Sequence, residues 1–210
     1  MGSIARSAAN NITTSGVFTS SAITNSSVTG ITVLANASDG ITLISSQTAS
    51  NSASISFTSG LTSTYKAYKF VFSSIHPRTG NIFEFNFSTD GGSNYNVTKT
   101  SSFLRAYHNQ ADTSFGLDVD TNRDLAQSTA FQDIGYSDTG ASDSFSGSLL
   151  LFNPSSTTYV KQFISNTTGS NFVFNFFVSG YGNTTSAINA IQFKFESGNF
   201  DGTIYLYGIK

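Results

Sequence analysis

From Tyr68 onward the chain repeats one pattern: a large apolar side chain, a small or polar one, then another large apolar one. Tyr68, Phe70 and Phe72 keep it, as do Phe83, Phe85 and Phe87, then Phe172, Phe174, Phe176 and Val178, then Ile191, Phe193 and Phe195. Side chains alternate across a strand, so a period of two puts every ring of a run on one face. Shorter runs behave alike: Ala53, Ile55 and Phe57, Leu149 and Leu151, Tyr159 and Phe163, and Ile204, Leu206 and Gly208. Two earlier strands are read at Val28, Ile31, Val33 and Ala35 and at Ile41, Leu43 and Ile44, on either side of the turn signal Ser38-Asp39-Gly40. Clusters of Gly, Asn, Asp and Ser bound the runs and supply tight-turn chemistry. Pro77 and Pro154 fall in predicted turns. The one helix candidate, Arg123 to Phe131, is short and has no sustained apolar stripe. About nine or ten strands at regular spacing predict an all-β fold, an antiparallel β-sandwich of jelly-roll type. Asn94 to Asp143 reads as the least regular region, a set of long excursions at one end.

Residues 1–27 break the pattern. Their charged residue is Arg6, their aromatic is Phe18, and the rest mixes small polar with single apolar residues. Such a segment buries too little apolar surface to offset its ordering entropy by itself. It is either an extended low-complexity arm that orders by docking Ile4, Ile12, Val17, Phe18 and Ile23 onto a partner, or a flexible tail. The division expected is therefore an arm over 1–27 and a sandwich domain over 28–210.

Composition narrows the chemistry. The chain has 210 residues, 20 Phe, 9 Tyr, no Cys and no Trp, and a net charge of −2 from 10 Lys and Arg against 12 Asp and Glu. Without Cys there is neither a disulfide nor a thiolate metal site. Cations are too few for a phosphate-neutralising face, which argues against nucleic acid as a partner. No stretch of 18 apolar residues occurs and the N-terminus lacks the apolar segment of a secretory signal, so neither a membrane partner nor export is expected. Met1-Gly2 is followed by Arg6 where a myristoylation signal has Ser or Thr.

Candidate sites are few. Asp118, Asp120, Asn122 and Asp124 alternate like the opening half of a calcium loop, yet Arg123 and Thr129 stand where such a loop needs Gly and Glu. A solvated loop is the favoured reading and bound calcium the weaker one. His76 and His108 lack zinc spacing, and neither a nucleophile elbow nor a phosphate-binding loop occurs. Glu84 alternates with a Phe row and so faces away from the core. No enzyme activity and no cofactor are expected. Aromatic rows also suit sugar platforms, but Phe residues two apart belong to a sheet-on-sheet interior. Tyr65, Tyr95, Tyr107, Tyr136 and Tyr181, near predicted turns, are the better surface candidates.

Several stretches together resemble a known group. Ala8-Ala9-Asn10-Asn11-Ile12-Thr13 with Gly16-Val17-Phe18-Thr19-Ser20-Ser21-Ala22-Ile23 resembles the start of small tail-associated or fibre-like structural proteins of marine tailed bacteriophages, those of cyanobacteria included. Phe57-Thr58-Ser59-Gly60 with Ser63-Thr64-Tyr65, Asn153 through Lys161, and Ser197 through Ile204 resemble the same group. The resemblance spans most of the chain and is least clear between Asn94 and Asp143. It implies a non-enzymatic virion component made in the host cytoplasm. The arm would anchor it to other virion proteins of tail or capsid, and the sandwich would be exposed, with a host-surface glycan among the candidate contacts. It also implies a homo-oligomer, with a trimer as the expected form. Capsid decoration and a free carbohydrate-binding module are the alternatives.

Overall fold

A computed structural model describes residues 40–170 and 172–210. The expected arm, with Ile4, Ile12, Val17, Phe18 and Ile23, and the expected strand from Val28 to Ala35 lie outside the described residues. Twelve strands are present among the described residues: β1 Ile41–Ser52, β2 Ser54–Phe57, β3 Ala67–Pro77, β4 Ile82–Ser88, β5 Lys99–Asn109, β6 Phe115–Val119, β7 Gln132–Tyr136, β8 Phe145–Phe152, β9 Lys161–Gly169, β10 Phe172–Gly182, β11 Ala190–Phe195 and β12 Phe200–Ile209. They form an eight-stranded sheet in the order β1-β12-β3-β8-β9-β10-β5-β6 and a four-stranded sheet in the order β2-β11-β4-β7. Every pairing is antiparallel, and the two sheets pack as a sandwich.

The period-two rows fill the space between the layers. Phe70 and Phe72 of β3, Phe83, Phe85 and Phe87 of β4, Phe145 of β8, Phe163 of β9, Phe176 of β10 and Phe193 and Phe195 of β11 are all buried in one cluster. Phe193 is its hub. Its ring centroid lies 5.2 Å from those of Phe70 and Phe72 in the opposite sheet, and 6.1, 6.3 and 6.4 Å from those of Phe83, Phe85 and Phe57 in its own. Edge-on and tilted rings dominate, as their quadrupoles favour. Gly135 makes one close approach possible: its φ is 148°, and a Cβ there would overlap the rings of Phe145 and Phe176. The register slips by one residue beside it, between Phe83 and Glu84 of β4.

The expected loop character of 94–143, the strand position of Tyr159 and the turn position of Pro77 change. The span from Asn94 to Asp143 contains β5, β6 and β7, so it builds an edge of each sheet. These strands are cryptic because the inward positions of β5 are Lys99, Ser101, Phe103, Arg105 and Tyr107, whose polar groups find partners inside the fold. No helix forms over Arg123 to Phe131. That stretch is tied down by a bridge between Lys99 and Ser128. Tyr159 precedes β9 and is exposed, and Pro77 ends β3, where the ladder does not need its missing donor. Pro154 sits in a turn as expected.

Candidate functional site

β5 pairs with β10 along one edge and, along the other, with β6 and then with the segment 120–131 that leads to β7. Arg105 of β5 stands opposite Asp118 of β6 in the register. Their pairing is bidentate, Nε to Oδ1 at 2.8 Å and Nη2 to Oδ2 at 3.0 Å. Nη1 of Arg105 also donates to the Tyr136 hydroxyl at 3.0 Å and lies 3.5 Å from Asp120 Oδ2. Arg123 continues the chain of charges. It donates to Asp120 at 3.2 Å and to Asp133 at 2.8 Å, with its guanidinium 5.2 Å from the Tyr136 ring centroid. The hydrogen bond from Arg105 holds the Asp118 carboxyl below its ordinary value. Burial pushes Asp133 up to about 6, against the opposing pull of Arg123.

Above this network lies an open pocket of about 140 Å³ lined by Arg105, Tyr107, Tyr136 and Phe174. Its rings are mutually braced, with Tyr136 to Phe174 at 4.7 Å and Tyr107 to Phe174 at 6.1 Å between centroids. Gly116 leaves room for Tyr107, whose hydroxyl and ring a Cβ there would meet at 2.9 and 3.0 Å. Arginine donors already engaged with carboxylates do not single out an anion. The pocket offers aromatic faces with a polar edge, the surface against which a planar group or a sugar ring stacks.

The four residues of the calcium-like spacing are placed as follows. Asp118 and Asp120 share a side of β6 and its extension because they alternate, and both meet arginine. Asn122 N–H donates to Asp120 Oδ1 at 3.3 Å, and Asp124 accepts the N–H of Phe103. Among the described residues no group of three or more His, Cys, Asp or Glu is arranged to hold a metal ion. Glu84 does face away from the core, paired with Lys194 at 2.8 Å. His76 Nδ1 lies 2.7 Å from the Asp143 carbonyl, and His108 Nε2 lies 2.9 Å from Asp112 Oδ1.

Of the tyrosines singled out by position, Tyr107 and Tyr136 line the pocket. Tyr65 packs edge-on against Tyr68 at 5.8 Å, and the Tyr181 hydroxyl accepts a hydrogen bond from Gln127. Period-two reading assigned Phe174 to the core and did not single out Arg105. The Arg105 to Asp118 pairing depends on a register that no local spacing reveals.

A second surface is formed by the outward face of the eight-stranded sheet. Phe115, Leu117 and Val119 of β6, Val173 and Phe177 of β10 and Ile164 of β9 are exposed there, Phe115 at 70% and Leu117 at 73%. The register places Val119, Leu104 and Phe177 in one row and Phe115, His108 and Val173 in another. No Asp, Glu, Lys or Arg occupies the outward positions of β6, β5, β10, β9 or β8.

No protein-family model, curated protein or solved structure matches this chain.

Proposed function

We propose that this chain is a non-enzymatic structural component of a tailed-phage virion, tail- or fibre-associated, anchored through its N-terminal segment and exposed for host adsorption. The observation that carries the reading is the uncharged outward face of the large sheet with its exposed apolar side chains. Phe115, Leu117 and Val119 of β6, Ile164 of β9 and Val173 and Phe177 of β10 stand exposed on it among uncharged polar side chains. Exposed apolar side chains on a face without charge suit docking against further copies of the same subunit, a trimer being the expected form. The aromatic rows, turned inward, leave a passive body whose chemistry is packing. The quoted sequence resemblance supplies the virion context.

Quantitative mass spectrometry of purified particles tests it. A few dozen copies or fewer relative to the major capsid protein fits the tail, hundreds fit capsid decoration, and absence from particles rejects both. The pocket of Arg105, Tyr107, Tyr136 and Phe174 favours a second reading, a carbohydrate-binding surface. Glycan-array binding that disappears in Tyr107→Ala supports it, and silence of the intact protein on the array removes it.

A further inference from the structure

We propose that Lys99 and Asn86 form an intramolecular isopeptide bond, joining Nζ of the lysine to Cγ of the asparagine. This inference stands apart from the virion reading. Both residues are wholly buried. Lys99 Nζ donates to Asn86 Oδ1 at 2.6 Å and to the Val97 carbonyl at 2.9 Å. Among the described residues no carboxylate lies within ion-pair distance of it. A buried ammonium without a counter-charge is costly, so the neutral amine is favoured. Burial pushes Lys99 down to about 7, against the charge of Glu84, leaving a large share of the amine deprotonated and nucleophilic at neutrality.

The asparagine is held for attack. Its Nδ2 donates to the carbonyls of Thr129 at 2.9 Å and Ala130 at 3.4 Å, which fixes which end of the amide faces the lysine. Its Oδ1 also accepts the Phe87 N–H at 2.8 Å. With a C=O bond of about 1.23 Å, the 2.6 Å hydrogen bond puts Nζ roughly 3 to 3.8 Å from Cγ, overlapping the near-attack range.

The reaction needs no outside reagent. The Nζ lone pair attacks Cγ, and the carbonyl pair moves onto Oδ1, where the Phe87 N–H stabilises the developing charge. One Nζ proton passes to Nδ2. The Oδ1 pair then returns to re-form the carbonyl as the Cγ–Nδ2 bond breaks with its pair going to nitrogen, and ammonia leaves beside the Thr129 and Ala130 carbonyls. Glu84, two residues before Asn86 on the same face of β4, contributes negative charge near Lys99 while its own carboxylate is paired with Lys194.

The fold contains its own control. Lys99 and Lys161 both pair with Gly182, so they flank it in one row across β10. Lys161 is also buried, but its Nζ donates to the main-chain carbonyls of Tyr159 and Thr184. No side-chain amide receives it, and its amine stays free. The Lys99 bond would tie β4 of the small sheet to β5 of the large one across thirteen residues.

Intact-mass measurement of the purified full-length chain decides the matter. The expected result is a mass lower than the sequence mass by one ammonia, with a single tryptic peptide of residues 79–105 closed into a loop between Asn86 and Lys99 and no cleavage after Lys99. Lys161→Arg should keep that deficit, and Lys99→Arg should abolish it. A wild-type chain at its full sequence mass, with Lys99 open to acetylation once denatured, overturns the proposal, as does a deficit that maps elsewhere. Since the wild-type readout needs no variant, a variant that fails to fold leaves the test intact.

Discussion

Replacing Phe193 by alanine removes the ring on which both layers converge. Its neighbours, Phe57, Phe70, Phe72, Phe83 and Phe85, come from three strands of two sheets and are themselves buried, so none can swing into the gap without losing its own contacts. A vacated ring of roughly 80 Å³ costs about 2 kcal/mol through the cavity, and the lost transfer of the ring from water adds about 2 more. The expected loss is therefore about 4 kcal/mol, read as a lower midpoint in urea with an unchanged slope. Phe115→Ala provides the contrast. That ring is 70% exposed on the outward face, and its removal should shift stability by no more than about 0.5 kcal/mol. If the two substitutions cost the same, or Phe193→Ala costs less than about 1 kcal/mol, the assignment of inner and outer faces is wrong.

Other tests address charge, backbone and surface. Asp133 binds a proton more tightly folded than unfolded, so its contribution is present below the ordinary value of 3.8 and is lost as pH rises through about 6. Wild type should thus lose on the order of 3 kcal/mol relative to Asp133→Asn across that window, and parallel pH profiles would refute the burial argument. Gly135→Ala must adopt a φ of 148° and push its Cβ into the rings of Phe145 and Phe176. A loss above about 2 kcal/mol in chemical unfolding is expected, and a neutral result contradicts the close approach. Leu117→Glu with Phe177→Glu should leave the unfolding midpoint nearly unchanged while reducing self-association in sedimentation velocity. Unaltered association would show that copies do not meet through that face.

The interior was legible because it is written in the simplest code a strand allows. Phe83, Phe85 and Phe87 or Ile191, Phe193 and Phe195 have one face that only a second layer can cover. β5 escaped notice because its inward side chains include Lys99, Ser101 and Arg105, satisfied by Asn86, Gln132 and Asp118 from distant parts of the chain. In β6 the alternation of Phe115, Leu117 and Val119 was a readable strand signal, but its apolar face points to solvent. Strand order was not readable at all, since β1 pairs with β12 and β3 lies between β12 and β8 through contacts far apart in the chain. The pocket follows the same logic. Tyr107 and Tyr136 stood out by position, whereas Phe174 and Arg105 joined them only through pairing of β10 and β6 with β5.

A reconstruction of the whole particle at side-chain resolution tests most directly whether this is a virion building block that docks through its large sheet. The expected map shows the sandwich on the tail, with Phe115, Leu117, Val173 and Phe177 pressed against a neighbouring subunit. A particle lacking the chain, or one in which that face is turned to solvent, would contradict the reading.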